Sequence, residues 1–423
     1  MKKLLSILLV TMMILSLTSV ASAAGASSDG RTVLTFWYNN SGDEAAPFEQ
    51  IVENYNNSQS TYFVEGLSVT DQQKIIVAMA SNETPDIVKT STSSLNMYQT
   101  NGLLDSLQPY MDAEGYDTSN FMEPSLAAMK IDDNMYALPF SCYTIQMYYN
   151  KDILESIGYS EPPKTMEEMY EMAVKATTLD DKGNIDVLGY PLFPLASARQ
   201  ELVYGFGGRW WDEEGNFTPN TQGAKDSLTY NMQYRELYGI ERVAEFIAAA
   251  NTNRYTEQDM FFVGKQLFRI DGNWLPTQMQ GYGSTVNYGI TLIPGTQSNP
   301  EYLGSSRLEC GCACIPLNAP NKEGAWDFIK FLSNEESAKL IDISNGYPPA
   351  LVTLFDDADI LAIPGMAEFI DATSVGVPVQ YPANINYSKY TSLIDEHLDY
   401  IYNGIMTVDE GLNELESRVN SEF

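Results

Sequence analysis

The sequence predicts an α/β fold built on an open parallel sheet, and three features of the 423-residue chain carry that expectation. Short β-branched and aromatic runs alternate with segments whose apolar residues recur at helical spacing. Ser or Thr stands three residues ahead of Glu or Gln at several helix starts, and 44% of residues are hydrophobic with no long uncharged apolar span beyond the N-terminus. A chain of this size has room for two or three domains.

The first strand is expected at Thr32-Val33-Leu34-Thr35-Phe36-Trp37, followed by a helix with Phe48, Ile51, Val52 and Tyr55 on one face and a capping box of Ser41 with Glu44 at its start. A second strand, Tyr62 to Val69, leads to Thr70 and Gln73, a second box, and to Ile75, Ile76, Met79 and Ala80 on one face. Pro85 ends that helix, and Asp86-Ile87-Val88 supplies a third short strand. Strands separated by helices of this length close right-handed parallel units, so the first roughly 110 residues read as one open α/β lobe.

Further on, Tyr136 to Phe140 is followed by a polar and aromatic strand from Tyr143 to Tyr149, and Thr165 with Glu168 opens a helix carrying Met166, Met169, Tyr170 and Ala173. A strand from Ile290 to Ile293 stops at Pro294-Gly295. An alternating strand, Glu309 to Ile315, precedes a helix with Ala325, Phe328, Ile329 and Leu332 on one face. Thr407 and Glu410 box the last helix, whose Val408, Leu412, Leu415 and Val419 form one stripe. No internal repeat or long flexible linker separates these parts.

Charge narrows the function. The chain carries 24 Lys and Arg against 56 Asp and Glu, a formal net charge of −32, so nucleic acid and anionic membrane surfaces are not expected partners. His397 is the only histidine, which disfavours a Ser-His-Asp triad or a multi-histidine zinc site; it reads as a solvated or half-buried helix residue. No G-x-x-x-x-G-K-[ST] is present, since Gly264-Lys265 lacks the upstream glycine and the following hydroxyl. Asp180, Lys182, Asn184 and Asp186 imitate a calcium loop, but Pro191 stands where a bidentate glutamate belongs, so a surface hairpin turn is expected. No catalytic residue, metal or cofactor is implied.

Lys2 and Lys3 precede an apolar run from Leu4 to Leu17 that closes with Ala21-Ser22-Ala23. This reads as a cleaved secretory signal over residues 1–23, because the run falls short of the ~20 residues needed to span a bilayer. No cysteine follows the run to take a lipid, so the mature chain is expected free and extracytoplasmic. Cys310, Cys312 and Cys314 alternate on one strand face, with neighbours roughly 6.5 to 7 Å apart and parallel Cβ vectors, which does not suit a mutual disulfide. Two readings stand for the four cysteines: small buried packing residues, or a bridge from Cys142 to one of the other three.

Several landmarks occur in a shared order: Thr35-Phe36-Trp37, Pro85-Asp86-Ile87-Val88, Gly102-Leu103-Leu104, Leu107 to Tyr110, Ala137-Leu138-Pro139-Phe140 and Tyr149-Asn150-Lys151-Asp152. They continue through Pro163-Lys164-Thr165, Gly207-Gly208, Phe262 to Trp274, Ala325 to Ile329, Gly346-Tyr347-Pro348 and Gly404 to Leu412. Over nearly the whole mature chain this resembles the family 1 extracellular solute-binding proteins of ABC importers, the maltose-binding-protein-like, carbohydrate-binding group. The resemblance implies a two-lobed periplasmic-binding-protein fold, each lobe a mainly parallel sheet flanked by helices, with a hinge crossed three times, near 140–143, 294–309 and 345–350. The lobes are expected as 32–141 plus 308–345 and 142–307 plus 346–423. The implied function is a monomeric receptor that captures a sugar or short oligosaccharide between closing lobes, delivers it to permease subunits and performs no chemistry on it.

The candidate site follows from residue chemistry together with the resemblance. Sugars offer C–H faces that stack on rings and hydroxyls that need in-plane partners, which suits a chain with 27 Tyr, 17 Phe and 5 Trp. The resemblance places Trp274, after Asp271-Gly272-Asn273, as a stacking platform and Tyr143 as a ligand contact. Trp210 and Trp211, after a glycine pair, are candidate platforms, and Asn39 and Asn40, in the turn after the first strand, are candidate hydroxyl partners. Thr90 and Ser91 follow the third strand where a close relative of maltose-binding protein carries a tryptophan, a departure that argues against maltose itself. Arg307, Glu309 and Tyr347 lie near the later crossings. The alternatives are a non-sugar solute on the same fold (a glycerophosphodiester, polyamine or peptide), a secreted glycan-active enzyme, and a sensory partner of a membrane receptor.

Overall fold

The strand expected first forms at β1 (Thr32–Tyr38), with Leu34, Phe36 and Tyr38 buried at alternate positions as a one-sided pleat requires. In this computed structural model the described residues are 27, 29–81, 83–131, 133–193, 197–374, 378–379, 381–382 and 386–423, so the expected signal segment and its cleavage point lie outside them. Helix α1 (Ala46–Ser58) connects β1 to β2 (Tyr62–Ser68), and α2 (Gln72–Met79) leads to β3 (Ile87–Ser91) and α3 (Thr92–Thr100). After β4 (Ala137–Tyr143) the chain passes to β5 (Ile145–Asn150), α4 (Met166–Ala176), α5 (Gln222–Tyr238), β6 (Phe268–Gly272), α6 (Leu275–Gly281) and β7 (Tyr288–Thr291). It returns through β8 (Ser306–Arg307) and β9 (Glu309–Cys314) to α7 (Lys322–Leu332) and α8 (Glu335–Asn345). The last elements are α9 (Met366–Ser374), β10 (Pro378–Val379), α10 (Tyr387–Tyr402) and α11 (Val408–Glu422).

The first sheet has the order β2-β1-β3-β9-β4. Strands β2, β1 and β3 are parallel, and β9 runs antiparallel to both β3 and β4. The Pro85-Asp86 motif has a visible purpose here. Buried Asp86 accepts bonds from the Thr35 N–H and hydroxyl at 2.8 and 3.0 Å and from the Asn321 N–H at 2.9 Å, tying β1 to the start of α7.

The second sheet has the order β6-β5-β7 and is antiparallel throughout, which corrects the expectation of a mainly parallel second lobe. The reason is directional: β5 leaves the first lobe at Ile145, whereas β6 and β7 both end on the side where β5 begins, Gly272 opposite Ile145 and Thr291 opposite Met147.

The third passage between lobes also differs from expectation. Ala350, Leu351, Leu354, Ile360, Met366 and Ile370 belong to the first core, held by the Met122 N–H to Ala350 carbonyl bond of 2.8 Å and the Phe121–Leu351 bridge. These six side chains therefore pack with the first lobe, because the apolar residues after Pro349 find their partners around Phe121. Phe369 packs instead against Tyr148 of the second lobe, and Val379, Tyr390, Ile394 and Leu398 lie in a core shared with Trp210 and Leu228.

Helix starts sort the capping boxes. Thr407 and Glu410 form the complete reciprocal box, and Thr165 accepts from the Glu168 N–H. Ser41 makes no cap; α1 begins later, after a single 3-10 turn, and Asp71 rather than Thr70 caps α2. Asp180 organises the 178–187 hairpin turn by accepting from the Asn184 and Lys182 N–H groups at 2.8 and 2.9 Å. His397 is buried, neither solvated nor half-buried, and its Nδ1 donates to the Leu393 carbonyl at 2.7 Å inside α10. Among the described residues no helix is long and apolar enough to cross a membrane.

Candidate functional site

The register of the first sheet brings the ends of several strands to one edge. Tyr143, last in β4, lies opposite Glu309, first in β9, and Ser91, last in β3, lies opposite Gly311. One residue separates Tyr143 from Ile145, whose partner Gly272 ends β6, so the second sheet presents its own edge directly across from the first. A cleft at strand ends, between two sheets, is where open α/β folds bind ligands.

Aromatic rings converge on this cleft. The Tyr143 and Tyr347 rings lie 5.7 Å apart at 35°. Trp274 is the second residue after β6, and its six-membered ring lies over Gly272, where an added Cβ would come within 2.2 Å of ring carbons. The neighbouring Asn273 reaches the opposite wall, its Nδ2 donating to the Gly346 carbonyl beside Tyr347.

A buried polar relay fixes the edge of Trp274. Its indole N–H donates to the Tyr255 hydroxyl at 2.8 Å, and that hydroxyl donates to Asp271 at 2.9 Å. Arg269 binds Asp271 through Nε at 2.8 Å and Asp259 through Nη1 at 2.7 and 2.8 Å. Arg269, Asp259 and Asp271 are each almost wholly buried, so every charge must be paired where it lies. Tyr255 holds a positive φ of 52°, a conformation uncommon for a residue with a Cβ and one that persists only under restraint from its surroundings.

The first lobe supplies a hydrogen-bonding rim. Lys89 donates from Nζ to the exposed Asn39 Oδ1 at 2.8 Å, and burial draws its ammonium down to about 8 despite Glu44 and Glu309 nearby. Asn40 donates from Nδ2 to Glu44 at 3.3 Å, its carbonyl accepts from Ser68 at 2.7 Å, and its Oδ1 has no protein partner. Glu309 Oε1 accepts from the Ser93 N–H and hydroxyl at 3.1 and 3.0 Å, and Ser93 in turn meets the Ser91 hydroxyl at 3.3 Å. Burial, then Glu309 and Tyr347, push the Tyr143 phenol well above its ordinary range, and burial with Glu44 pushes Tyr347 up to about 12. Both remain neutral hydrogen-bonding groups at physiological pH.

Adjacent to this rim an open space of about 1040 Å³ separates Gln72, Ser93 and Met97 of the first lobe from Arg307, Tyr381 and Tyr387. Arg307 carries no unbalanced charge: Nε donates to Glu201 at 2.6 Å, the Arg307 N–H and the Ser306 hydroxyl complete the cage around Glu201, and Nη1 reaches the Tyr387 hydroxyl at 3.3 Å. Arg199 is likewise matched by Asp395 and Asp399, while Arg209 lies over the Tyr204 and Tyr302 rings.

Three sequence candidates do not reach the cleft. Trp210 is fully buried, with its indole N–H donating to the Gln200 carbonyl at 3.3 Å. Trp211 is buried edge-on behind Tyr387 at 5.5 Å. Their glycine pair serves packing, since a Cβ on Gly208 would meet the Gly223 and Ala224 backbone at 2.8 Å. Thr90 is buried within the sheet opposite Cys312, because β3 continues to Ser91 instead of stopping at Val88. Tyr143, Tyr347, Trp274, Asn39, Asn40, Ser91, Arg307 and Glu309 do gather around the cleft.

Sequence reasoning missed Lys89, Glu44, Tyr255, Tyr381 and Tyr387. Lys89 was detectable as a lone cation in a β-run; the tyrosines are 16 or more residues from their partners Asp271 and Arg307, and no local pattern marks them.

Fold and site together define a two-lobed binding protein whose ligand enters a cleft between sheets. The family of bacterial extracellular solute-binding proteins matches residues 38–339, and the chain belongs to that family. It is 24% identical over 349 residues to the maltotriose-binding protein of Pyrococcus abyssi (strain GE5 / Orsay), covering 78% of this chain and 69% of that one. It is 26% identical over 285 residues to the galactooligosaccharide-binding protein of Bacillus subtilis (strain 168), covering 66% and 63%. Among solved structures, the sugar-binding protein MalE from the phytopathogen Xanthomonas citri superposes with a TM-score of 0.78 at 19% identity, over 92% of this chain and 97% of that one. A binding protein solved with mannotriose bound superposes at 0.76 and 22% identity, over 92% and 99%.

Proposed function

We propose that this chain is the extracytoplasmic receptor of an ABC importer, capturing a sugar or short oligosaccharide between its lobes and delivering it to membrane permease subunits. The observation that carries the reading is the convergence of Trp274, Tyr143 and Tyr347 beside a rim of amide, hydroxyl and carboxylate groups. Rings supply apolar faces for sugar C–H surfaces, and the rim supplies in-plane donors and acceptors for hydroxyls. A phosphate or carboxylate ligand finds less support, because Arg307 and Arg199 are neutralised by Glu201, Asp395 and Asp399. Two relatives, a maltotriose-binding and a galactooligosaccharide-binding protein, point the same way.

In this reading the receptor is a monomer cleaved after Ala23 and performs no chemistry on its ligand. The first lobe carries residues 32–143 with 308–361, the second carries 144–307 with 378–423, and α9 touches both cores. A ligand touching both walls shifts the population toward the closed form by its differential affinity. Thermal unfolding of the mature chain against neutral mono- and oligosaccharides, with polyamines, peptides and phosphodiesters as controls, tests this. A ligand at ~1,000 times its Kd stabilises by about 4 kcal/mol. A shift confined to the controls overturns the sugar assignment.

A further inference from the structure

Beneath the cleft floor, Cys142 and Cys310 place their sulfur atoms 3.2 Å apart, and both side chains are fully buried. They occupy directly opposed positions on the antiparallel pair β4 and β9. Their backbone N–H groups bond elsewhere, Cys142 to the Pro348 carbonyl at 2.7 Å and Cys310 to the Thr92 hydroxyl at 2.9 Å. Opposed residues that exchange no backbone bonds approach most closely, with Cα atoms about 4.5 Å apart, inside the range a disulfide spans.

We propose that Cys142 and Cys310 form a disulfide in the secreted protein, stapling the strand that leaves the first lobe to the strand that returns to it. The other cysteines do not compete. Cys312 lies two residues along the same strand from Cys310, roughly 6.5 to 7 Å away with a parallel Cβ vector. Cys314 donates its thiol to the Val88 carbonyl of β3 at 3.5 Å.

The oxidant is a disulfide-exchange partner of the extracytoplasmic space. One cysteine thiolate attacks the partner's S–S bond, releasing one partner thiol and leaving a mixed disulfide. The second thiolate then attacks that mixed disulfide and releases the other partner thiol. Two cysteine protons and two electrons are transferred, and one S–S bond forms as one breaks. Both thiols are sealed from solvent in the folded chain, and burial pushes the Cys142 thiol well up, so exchange occurs before β4 and β9 close. The bond immediately adjoins Tyr143 and Glu309, so it fixes the register of the two residues that floor the cleft. It depends on the extracytoplasmic location and is independent of ligand class.

The test uses the full chain recovered after secretion and denatured without reductant. The expected result is two titratable thiols, a mass lower by two hydrogens, and a digest peptide joining Cys142 to Cys310. Reduction should lower the thermal midpoint by about 5 °C or more in this protein and leave a Cys142→Ala/Cys310→Ala double variant unmoved. Four free thiols, or a bridge through Cys312 or Cys314, overturns the proposal. Should the double variant fail to fold, the thiol count and peptide map of the unaltered protein still decide.

Discussion

The Trp274 indole N–H and the Tyr255 hydroxyl are joined at 2.8 Å, and the same hydroxyl donates a hydrogen bond to Asp271, itself held by Arg269. The edge of the indole is thus committed to the protein, which orients its face. Tyr255→Phe leaves an indole N–H and a buried carboxylate short of a partner, each worth about 1–3 kcal/mol. Ligand affinity is expected to fall about tenfold and Trp274 fluorescence to shift, both measurable by titration; unchanged affinity would show that the relay does not position the ring.

Trp274→Ala should weaken binding by two orders of magnitude or so while the chain stays folded, since a stacked aromatic contributes about 2–4 kcal/mol through buried area and ring geometry. Gly272→Ala should reproduce part of the loss, because the new methyl occupies the place of the ring. Isothermal titration of both variants, with circular dichroism as the fold control, measures this.

Glu201→Gln addresses the cleft wall. Glu201 balances buried Arg307 through Nε and the backbone, so the variant leaves a guanidinium underpaired in the interior. A stability loss of about 3 kcal/mol or more is expected in denaturant unfolding. A loss under 1 kcal/mol would mean that Arg307 is solvated rather than clamped.

Lys89 predicts two opposite pH trends. In the proposed reading its ammonium donates to a ligand oxygen, so affinity should decline as pH rises through about 8. Because burial lowers the folded pKa below the unfolded value, charging Lys89 costs stability below pH 8, and that cost is relieved as pH climbs through about 8 toward the unfolded pKa of about 10.4. Lys89→Met should flatten both trends relative to the unaltered chain; identical pH profiles for the two proteins would remove Lys89 from the site.

Thr407→Ala should cost about 1 kcal/mol by deleting the one reciprocal box shown for α11, whereas Ser41→Ala should stay within about 0.5 kcal/mol because Ser41 caps nothing. Chemical denaturation of the two variants in parallel decides between them.

Much of the first lobe was legible from local pattern. The alternation in Thr32–Tyr38 and the helical face of Phe48, Ile51 and Tyr55 each follow from side-chain periodicity, which a strand or helix must honour to bury one face. The same logic failed at Ser41, where a box motif precedes a 3-10 turn, and at Thr90, placed after a strand ending at Val88 although the buried residue continues β3. At Ser41 the Glu44 carboxylate accepts instead from Asn40, and at Thr90 the pairing with Cys312 comes from a strand more than 200 residues away.

Fold family and the supply of aromatic rings were therefore matters of sequence: element periodicity, the order of the landmark motifs and an aromatic-rich composition are encoded residue by residue. Only the tertiary structure decided which rings face the cleft. Trp210 and Trp274 follow glycine-containing turns alike, yet one donates to Gln200 in the core and the other to Tyr255 at the cleft. It also decided that Cys310 rather than Cys312 meets Cys142, because strand register, set by pairing across 168 positions, has no local signature.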